Sequence, residues 1–558
     1  MNTDGRSLRA LVLGLVTLGV ITPILLGLWQ TARAAFGILP AIGATKASLS
    51  TFYMLYNLPG FASSLRLTIG TGLAATVISL ILTMGLCAAL HGHLQSKSSL
   101  LTPILATPHA ALAIGLAFLI APSGWLARAL APLLSWQNPP DIASLHDPYG
   151  LALILGLVIK ELPFLLLVSL AALAQLPVNH TQRMGRALGY PTSTLWLKLI
   201  APQVYPLIRL PIFIVLAFSL STVDMAIILG PSNPAPLAVA TMRWFSNPDA
   251  AMLPAAFAAA LLQGAVVLAA ILLWIIAEKA LAHLGRNWIH RGSRQPIPGL
   301  KIVTAIAALL GILAALSLLN LGLWSITGRW SWPDLLPSEY ALQNWIGPQS
   351  GWANALFLTL KIGVICNSLS LALAILWLES EAMGQHKRAK WAEALIYFPL
   401  LLPQIGFLYG LNVTFLYARL NAGLTAVIWA HLLFTFPYVM ITLSDSWRAV
   451  DPRLIRTAAA LGAGPWRRFY IVKLPLLLRP ILTAAAVGFA VSVAQYLPTL
   501  FMGAGRIATL TTEAVTLSSG SDRRIVGVYA VLQALLPLAA YVLAVLAPNW
   551  QTSRQEPT

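Results

Sequence analysis

The sequence predicts an all-α membrane protein of about twelve transmembrane helices, laid out as two tandem six-helix modules. Three observations carry this. The chain is 58% hydrophobic and 9% charged over 558 residues, whereas soluble domains carry about 25% charged residues. Its apolar runs reach the ~20 residues needed to cross a hydrocarbon core about 30 Å thick. A stretch of the first half also recurs in the second, with its glycine and proline in register.

The first six apolar runs cover 11–30, 65–90, 100–120, 151–173, 207–229 and 253–277. The second six cover 302–324, 356–378, 394–416, 424–443, 481–502 and 526–546. Backbone exposed to lipid must satisfy its own hydrogen bonds, so each run is read as a helix. This gives a first module over 1–285, a connector over 286–300 and a second module over 301–558. Pro296 and Pro298 stop helix continuation in the connector. Arg6 and Arg9 precede the first run, and Ala32-Arg33-Ala34 imitates a cleavage site after it. The even helix count favours a retained signal anchor.

A net charge of +18 raises the question of a nucleic-acid partner, and the placement of the charge argues against one. Basic residues gather in alternate loops: Lys97, then Arg183, Arg186 and Lys198, then Lys279, Arg286, Arg291, Arg294 and Lys301. Further on come Lys387, Arg388 and Lys390, and then Arg448, Arg453, Arg456, Arg467, Arg468 and Lys473. The intervening loops carry Asp141, Asp147, Asp249, Asp334, Glu339 and Asp522. By the positive-inside rule both termini and both repeated loops face the cytoplasm, and the partner of this surface is the lipid bilayer, with no nucleic acid.

The repeated stretches are residues 183–202, RMGRALGYPTSTLWLKLIAP, and 456–475, RTAAALGAGPWRRFYIVKLP. Gly189 and Gly462 lie 273 residues apart, and SLSTVDMAIILG (219–230) matches SVAQYLPTLFMG (492–503) at the same shift. Residues 236–238 align with 509–511 at that shift, and 162–164 with 436–438 within one residue, the pattern of an internal duplication. Glycine permits a tight helix-to-helix turn, and a proline opening the next helix costs no internal hydrogen bond. Trp196, Leu199 and Ile200 in one copy, and Trp466, Phe469, Tyr470 and Val472 in the other, supply an apolar face. Arg467, Arg468 and Lys473 supply a basic one. The alternative is a pair of amphipathic helices resting on anionic lipid.

These loops resemble the EAA loop of binding-protein-dependent ABC importer permeases, whose pattern is E-A-A-x-x-x-G-x9-I-x-L-P. The second copy has Ala458 in an alanine-rich approach, Gly462, and Val472, Leu474 and Pro475 in register. The first has Arg183-Met184-Gly185 in place of E-A-A, keeps Gly189, Leu199 and Pro202, and has Ala201 for the leucine. Neither has the glutamate. The resemblance covers nearly the whole chain and implies two fused type I ABC permease modules in a bacterial inner membrane. It implies that Gly189, Leu199, Pro202, Ala458, Gly462, Val472, Leu474 and Pro475 belong to loops docking an ATPase. The implied partners are two copies of a cytoplasmic ABC ATPase and a periplasmic solute-binding protein. Fused permeases of this kind look most like those of thiamine and ferric-iron importers.

No enzymatic chemistry is expected in the chain itself. A P-loop needs a Gly-Lys step to hold phosphate, and the sequence contains none, so no cofactor is assigned here and ATP and magnesium belong to the partner subunits. His91 and His93 are read as surface residues, Cys87 and Cys366 as packing residues, and no metal site is expected. Ionisable groups inside lipid are costly and face a partner or a cavity, which singles out Lys160, Glu161 and Asp224. A Lys160–Asp224 pair and a solute role both stay open. The candidate path sets Ser221, Thr222 and Asp224 of one half against Gln495, Tyr496 and Thr499 of the other. That lopsided charge favours a small cationic or mixed-charge solute, and the resemblance ranks thiamine-like or other small cationic solutes first and iron(III) second. A secondary transporter of the major-facilitator type also has about twelve helices. It would carry a G-x-x-x-D-R-x-G-R-R-like loop after its second helix, where this chain has HGHLQSKSS. A membrane scaffold without transport is a further alternative.

Overall fold

The computed structural model describes residues 3–97, 106–347, 351–383, 390–420 and 422–552. Among these, ten helices are long and apolar enough to cross a bilayer, and the count is twelve if each of two bent helix pairs is one span. The first half contributes Ser7–Ala35, Phe61–Leu90, His109–Leu134, Leu151–Ala174, Thr192–Ser221 and Ala250–His290. The second contributes Leu300–Ser325, Trp352–Met383, the pair Trp391–Leu400 and Ile405–Tyr417, Leu424–Arg448, the pair Pro465–Leu476 and Leu478–Val493, and Arg523–Ala547. Counted as twelve crossings, the connector and both repeated loops fall on one side of the membrane.

Two of the expected runs are displaced. The fifth span begins at Thr192 rather than 207 and stops at Ser221, and Asp224–Leu229 is a separate short helix. The eleventh stops at Val493 rather than 502, and Leu497–Gly503 is again separate. The near ends extend because the repeated loop runs into the span through a π-turn, Trp196–Ile200 in one half and Phe469–Lys473 in the other. Each π-turn directly precedes the segment that opens with Pro202 or Pro475, where a wider ladder accommodates a residue that cannot donate. The far ends stop because side chains take the last carbonyls. Gln263 Nε2 donates to Leu220 O at 2.7 Å. In the second half Gln533 Nε2 donates to Thr511 Oγ1 at 2.7 Å, and that hydroxyl donates to Val493 O. The ninth span is bent by 94°, with Pro399 just before the break and Pro403 within it. Residues 100–105 of the third expected run lie outside the described residues, as do the side chains of His91 and His93.

The first span of each half packs on the other half. Ser7–Ala35 lies against the sixth, eighth and ninth spans, and Leu300–Ser325 against the second, third and twelfth. Both crossings rest on glycine: a Cβ at Gly410 would fall 2.1 Å from Gly27 O, and one at Gly115 would fall 2.5 Å from Ser317 O. On the face away from the repeated loops, Arg128 donates through Nη1 to Ser331 O (2.6 Å) and Asp334 O (3.0 Å). The short helices Leu237–Phe245 and Leu510–Ser518 are capped alike: Thr68 Oγ1 accepts from Leu237 N (2.8 Å) and Thr359 Oγ1 from Leu510 N (2.9 Å).

Candidate coupling loops and translocation path

Each repeated loop is a helix, a left-handed glycine and a second helix. Val178–Ala187 ends at Gly189 (φ 79°), and Pro452–Ala460 ends at Gly462 (φ 82°). The hydrogen bonds around the two glycines coincide. Gly189 N donates to Arg186 O and Tyr190 N to Gly185 O; Gly462 N donates to Ala459 O and Ala463 N to Ala458 O. This is the Schellman pattern, and it gives Ala458 a capping role through its carbonyl.

What the two loops present differs. In the second, Trp466, Tyr470 and Ile471 are 54%, 59% and 61% exposed and Arg467 is open, while Val472 and Leu474 are half-buried. Phe469 is buried, and Lys473 is withdrawn from the expected basic face into a 2.5 Å ion pair with Glu379, 4.8 Å from the Trp447 ring centre. Nearby, Arg448 bridges Glu381 (2.9 Å) and Glu393, joining the ends of the eighth, ninth and tenth spans. In the first loop, Trp196 and Ile200 are buried and only Leu199 of the expected apolar face is exposed. The connector lies over this copy.

The candidate path residues gather where the fifth and eleventh spans break. Thr222, Asp224, Gln495, Tyr496 and Thr499 are all buried, and Ser221 is half-buried. Asp224 Oδ1 accepts from Thr222 Oγ1 at 3.0 Å, and Asp224 stands close enough to Tyr496 of the other half to act on it electrostatically. Lys160 Nζ donates to Thr107 O, and Glu161 Oε1 lies 3.5 Å from His109 Nε2 and within electrostatic reach of Tyr438. A Lys160–Asp224 pair, one of the two readings left open above, is not among the ion pairs of the described residues. The ammonium turns toward the third span and the carboxylate toward its own break.

Sequence reasoning missed His431, a buried residue of the tenth span that ties both sides of the eleventh-span break together. Its Nδ1 lies 2.9 Å from Ser492 Oγ and its Nε2 2.9 Å from Thr499 Oγ1. Thr499 spends its proton on Gln495 O (3.0 Å), so it accepts from Nε2–H, and Nδ1 accepts from Ser492. Gln404, at the bend of the ninth span, reaches Gln495 Oε1 at 3.3 Å. An ionisable residue inside the apolar run 424–443 was the available signal.

Two swapped halves, paired loops on one side and a polar, helix-broken seam between the halves define a multi-span transport protein. Residues 369–552 match the family described as binding-protein-dependent transport system inner membrane component. The inner membrane ABC transporter permease protein YnjC of Escherichia coli (strain K12) is 33% identical over 509 residues, 90% of this chain and 91% of that protein. The chain belongs to this family of ABC transporter permease subunits. It is also similar to a putative 2-aminoethylphosphonate transport system permease protein PhnV of Salmonella typhimurium (strain LT2), 29% identical over 169 residues, 29% of this chain and 63% of that protein. A spermidine/putrescine transport system permease protein PotC homolog of Mycoplasma genitalium is 25% identical over 178 residues, 31% of this chain and 62% of that protein. Family membership sets aside the major-facilitator alternative.

Proposed function

We propose that this chain forms the whole membrane channel of a type I importer, taking a small solute from a periplasmic binding protein. Two copies of a cytoplasmic ATPase drive it, one on each repeated loop, and both termini lie in the cytoplasm. Glycine-turned, Schellman-capped loops at the same point of both halves are the observation that carries this reading. ATP-driven closure of the ATPases draws the loops together and parts the seam between the breaks. The seam's acid, Asp224, held by Thr222 and within electrostatic reach of Tyr496, supports a cationic or mixed-charge solute, and the resemblance to the fused permeases of thiamine and ferric-iron importers ranks thiamine-like solutes before iron(III). Amine-bearing solutes in the names of two relatives point the same way. The test is purification in mild detergent followed by reconstitution into vesicles. An ATPase recovered at two copies per chain, with ATP-dependent uptake, is the expected result. A chain that purifies alone and moves solute down an ion gradient would overturn the proposal.

A further inference from the structure

The connector between the halves is bound by the first loop as an extended peptide. Residues 291–297 lack regular structure, and their backbone groups at every second position meet side chains of the first loop. Lys198 Nζ donates to Arg291 O (2.6 Å) and Ser293 O (3.3 Å). Thr194 Oγ1 donates to Gln295 O (2.6 Å), and Ser193 Oγ accepts from Ile297 N (3.0 Å). A strand repeats its edge every two residues, so one edge of the strap is read by three side chains of a single helix. The Lys198 ammonium also lies 4.9 Å from the Trp288 ring centre. Arg294 itself is exposed and runs past the turn, its guanidinium carbon 5.7 Å from the Tyr190 ring centre and its Cδ 3.6 Å from where a Gly189 Cβ would be.

The second loop cannot bind such a strap. At the 273-residue shift, Ser193, Thr194 and Lys198 correspond to Trp466, Arg467 and Ile471, all exposed. The buried Thr194 thus stands where the other copy offers a free guanidinium, and the strap brings Arg294 to that neighbourhood.

We infer that the connector is part of the first docking surface: its residues 291–297 replace the face that the second loop presents directly, so the ATPase meets two unlike surfaces on one chain. This rests on the docking reading above. The test places a photo-crosslinking benzoylphenylalanine in place of Arg294 or of Tyr470 in the full complex in native membranes. Adducts with the ATPase from both positions are expected. An adduct from 470 without one from 294 overturns the composite surface alone, and no adduct from either overturns the docking reading with it. Lys198→Met combined with Thr194→Val frees the strap. It should lower the 294 adduct at least about tenfold, the equivalent of ~1.4 kcal/mol, and leave the 470 adduct intact. An unchanged 294 adduct in that variant would show that the loop does not present the strap.

Discussion

Gly462→Asp separates docking from folding, because the structure isolates the two costs. The glycine sits at φ 82° with nothing within 4 Å of the place a Cβ would take. The fold therefore bears only the left-handed backbone cost of an L-residue, about 1–2 kcal/mol and less for aspartate than for most. For a chain of this size that lowers Tm by no more than about 2–4 °C. Docking bears a different cost. A carboxylate carried into an interface without a partner costs about 2–5 kcal/mol, and 2 kcal/mol is already about thirtyfold in binding. Gly462→Ala is the control, with the same backbone conformation and no charge. The assay pairs ATP-dependent uptake in vesicles with recovery of the ATPase on the detergent-purified chain and a thermal melt. Aspartate should cut uptake and ATPase recovery severalfold more than alanine, with normal membrane insertion and similar melts for both. Normal uptake by the aspartate variant would refute the docking argument, and a collapsed melt would refute the claim that the glycine stands in open space.

Arg448→Ala leaves Glu381 and Glu393 facing each other without the guanidinium that bridges them. The site is partly open, so the expected loss is about 2 kcal/mol, below the 3–5 of a fully buried pair, read by thermal unfolding. His431→Leu should destabilise by about 1–3 kcal/mol, because the Ser492 hydroxyl loses its acceptor and Thr499 Oγ1 loses the donor from Nε2. Combined with Thr499→Val it should fall short of additivity by at least about 0.5 kcal/mol, and a strictly additive pair would exclude the shared hydrogen bond. Gln263→Leu strips the Leu220 carbonyl of its donor and should cost about 1–3 kcal/mol; a melt indistinguishable from that of the parent would mean the break finds another donor.

The spans were legible because lipid demands uniform apolarity over a known length, and both glycine turns because nothing else in these loops takes a positive φ. The breaks were not. Leu220-Ser221-Thr222-Val223 reads as ordinary membrane helix, and what stops it is an amide some forty residues later, from Gln263. The crossing of the first span onto the other half was equally hidden, since Gly27 and Gly410 show their purpose only when both helices are in place. The strap escaped notice for a third reason: Arg291, Ser293 and Gln295 are held by their carbonyls, and a carbonyl leaves no mark on residue identity. Each loop carries one tryptophan, but at the 273-residue shift Trp196 falls on Phe469, which is also buried, and the exposed Trp466 falls on Ser193.

The two breaks share their scaffold and differ in their charge, which makes the path testable by transplantation. Both are built by a buried glutamine of the last span, Gln263 or Gln533, and both lead into a short helix followed by one capped from Thr68 or Thr359. At the 273-residue shift Asp224 corresponds to Leu497, which is buried. Thr222, the donor to Asp224, corresponds to Gln495, whose amide can donate in the same way. An acid moved to 497 therefore has a donor two residues before it. If the solute passes along the pseudo-twofold seam, the side from which the charge acts is secondary to its depth. Asp224→Asn should then lower uptake of a cationic solute at least about tenfold, as the loss of ~1.4 kcal/mol requires, with ATPase recovery unchanged. Asp224→Leu combined with Leu497→Asp should restore a substantial part of it. Undiminished uptake by Asp224→Asn would remove the acid from the path. Failure of the exchange, in a variant that still folds and binds the ATPase, would mean that Asp224 acts through its own half rather than on the solute at the seam.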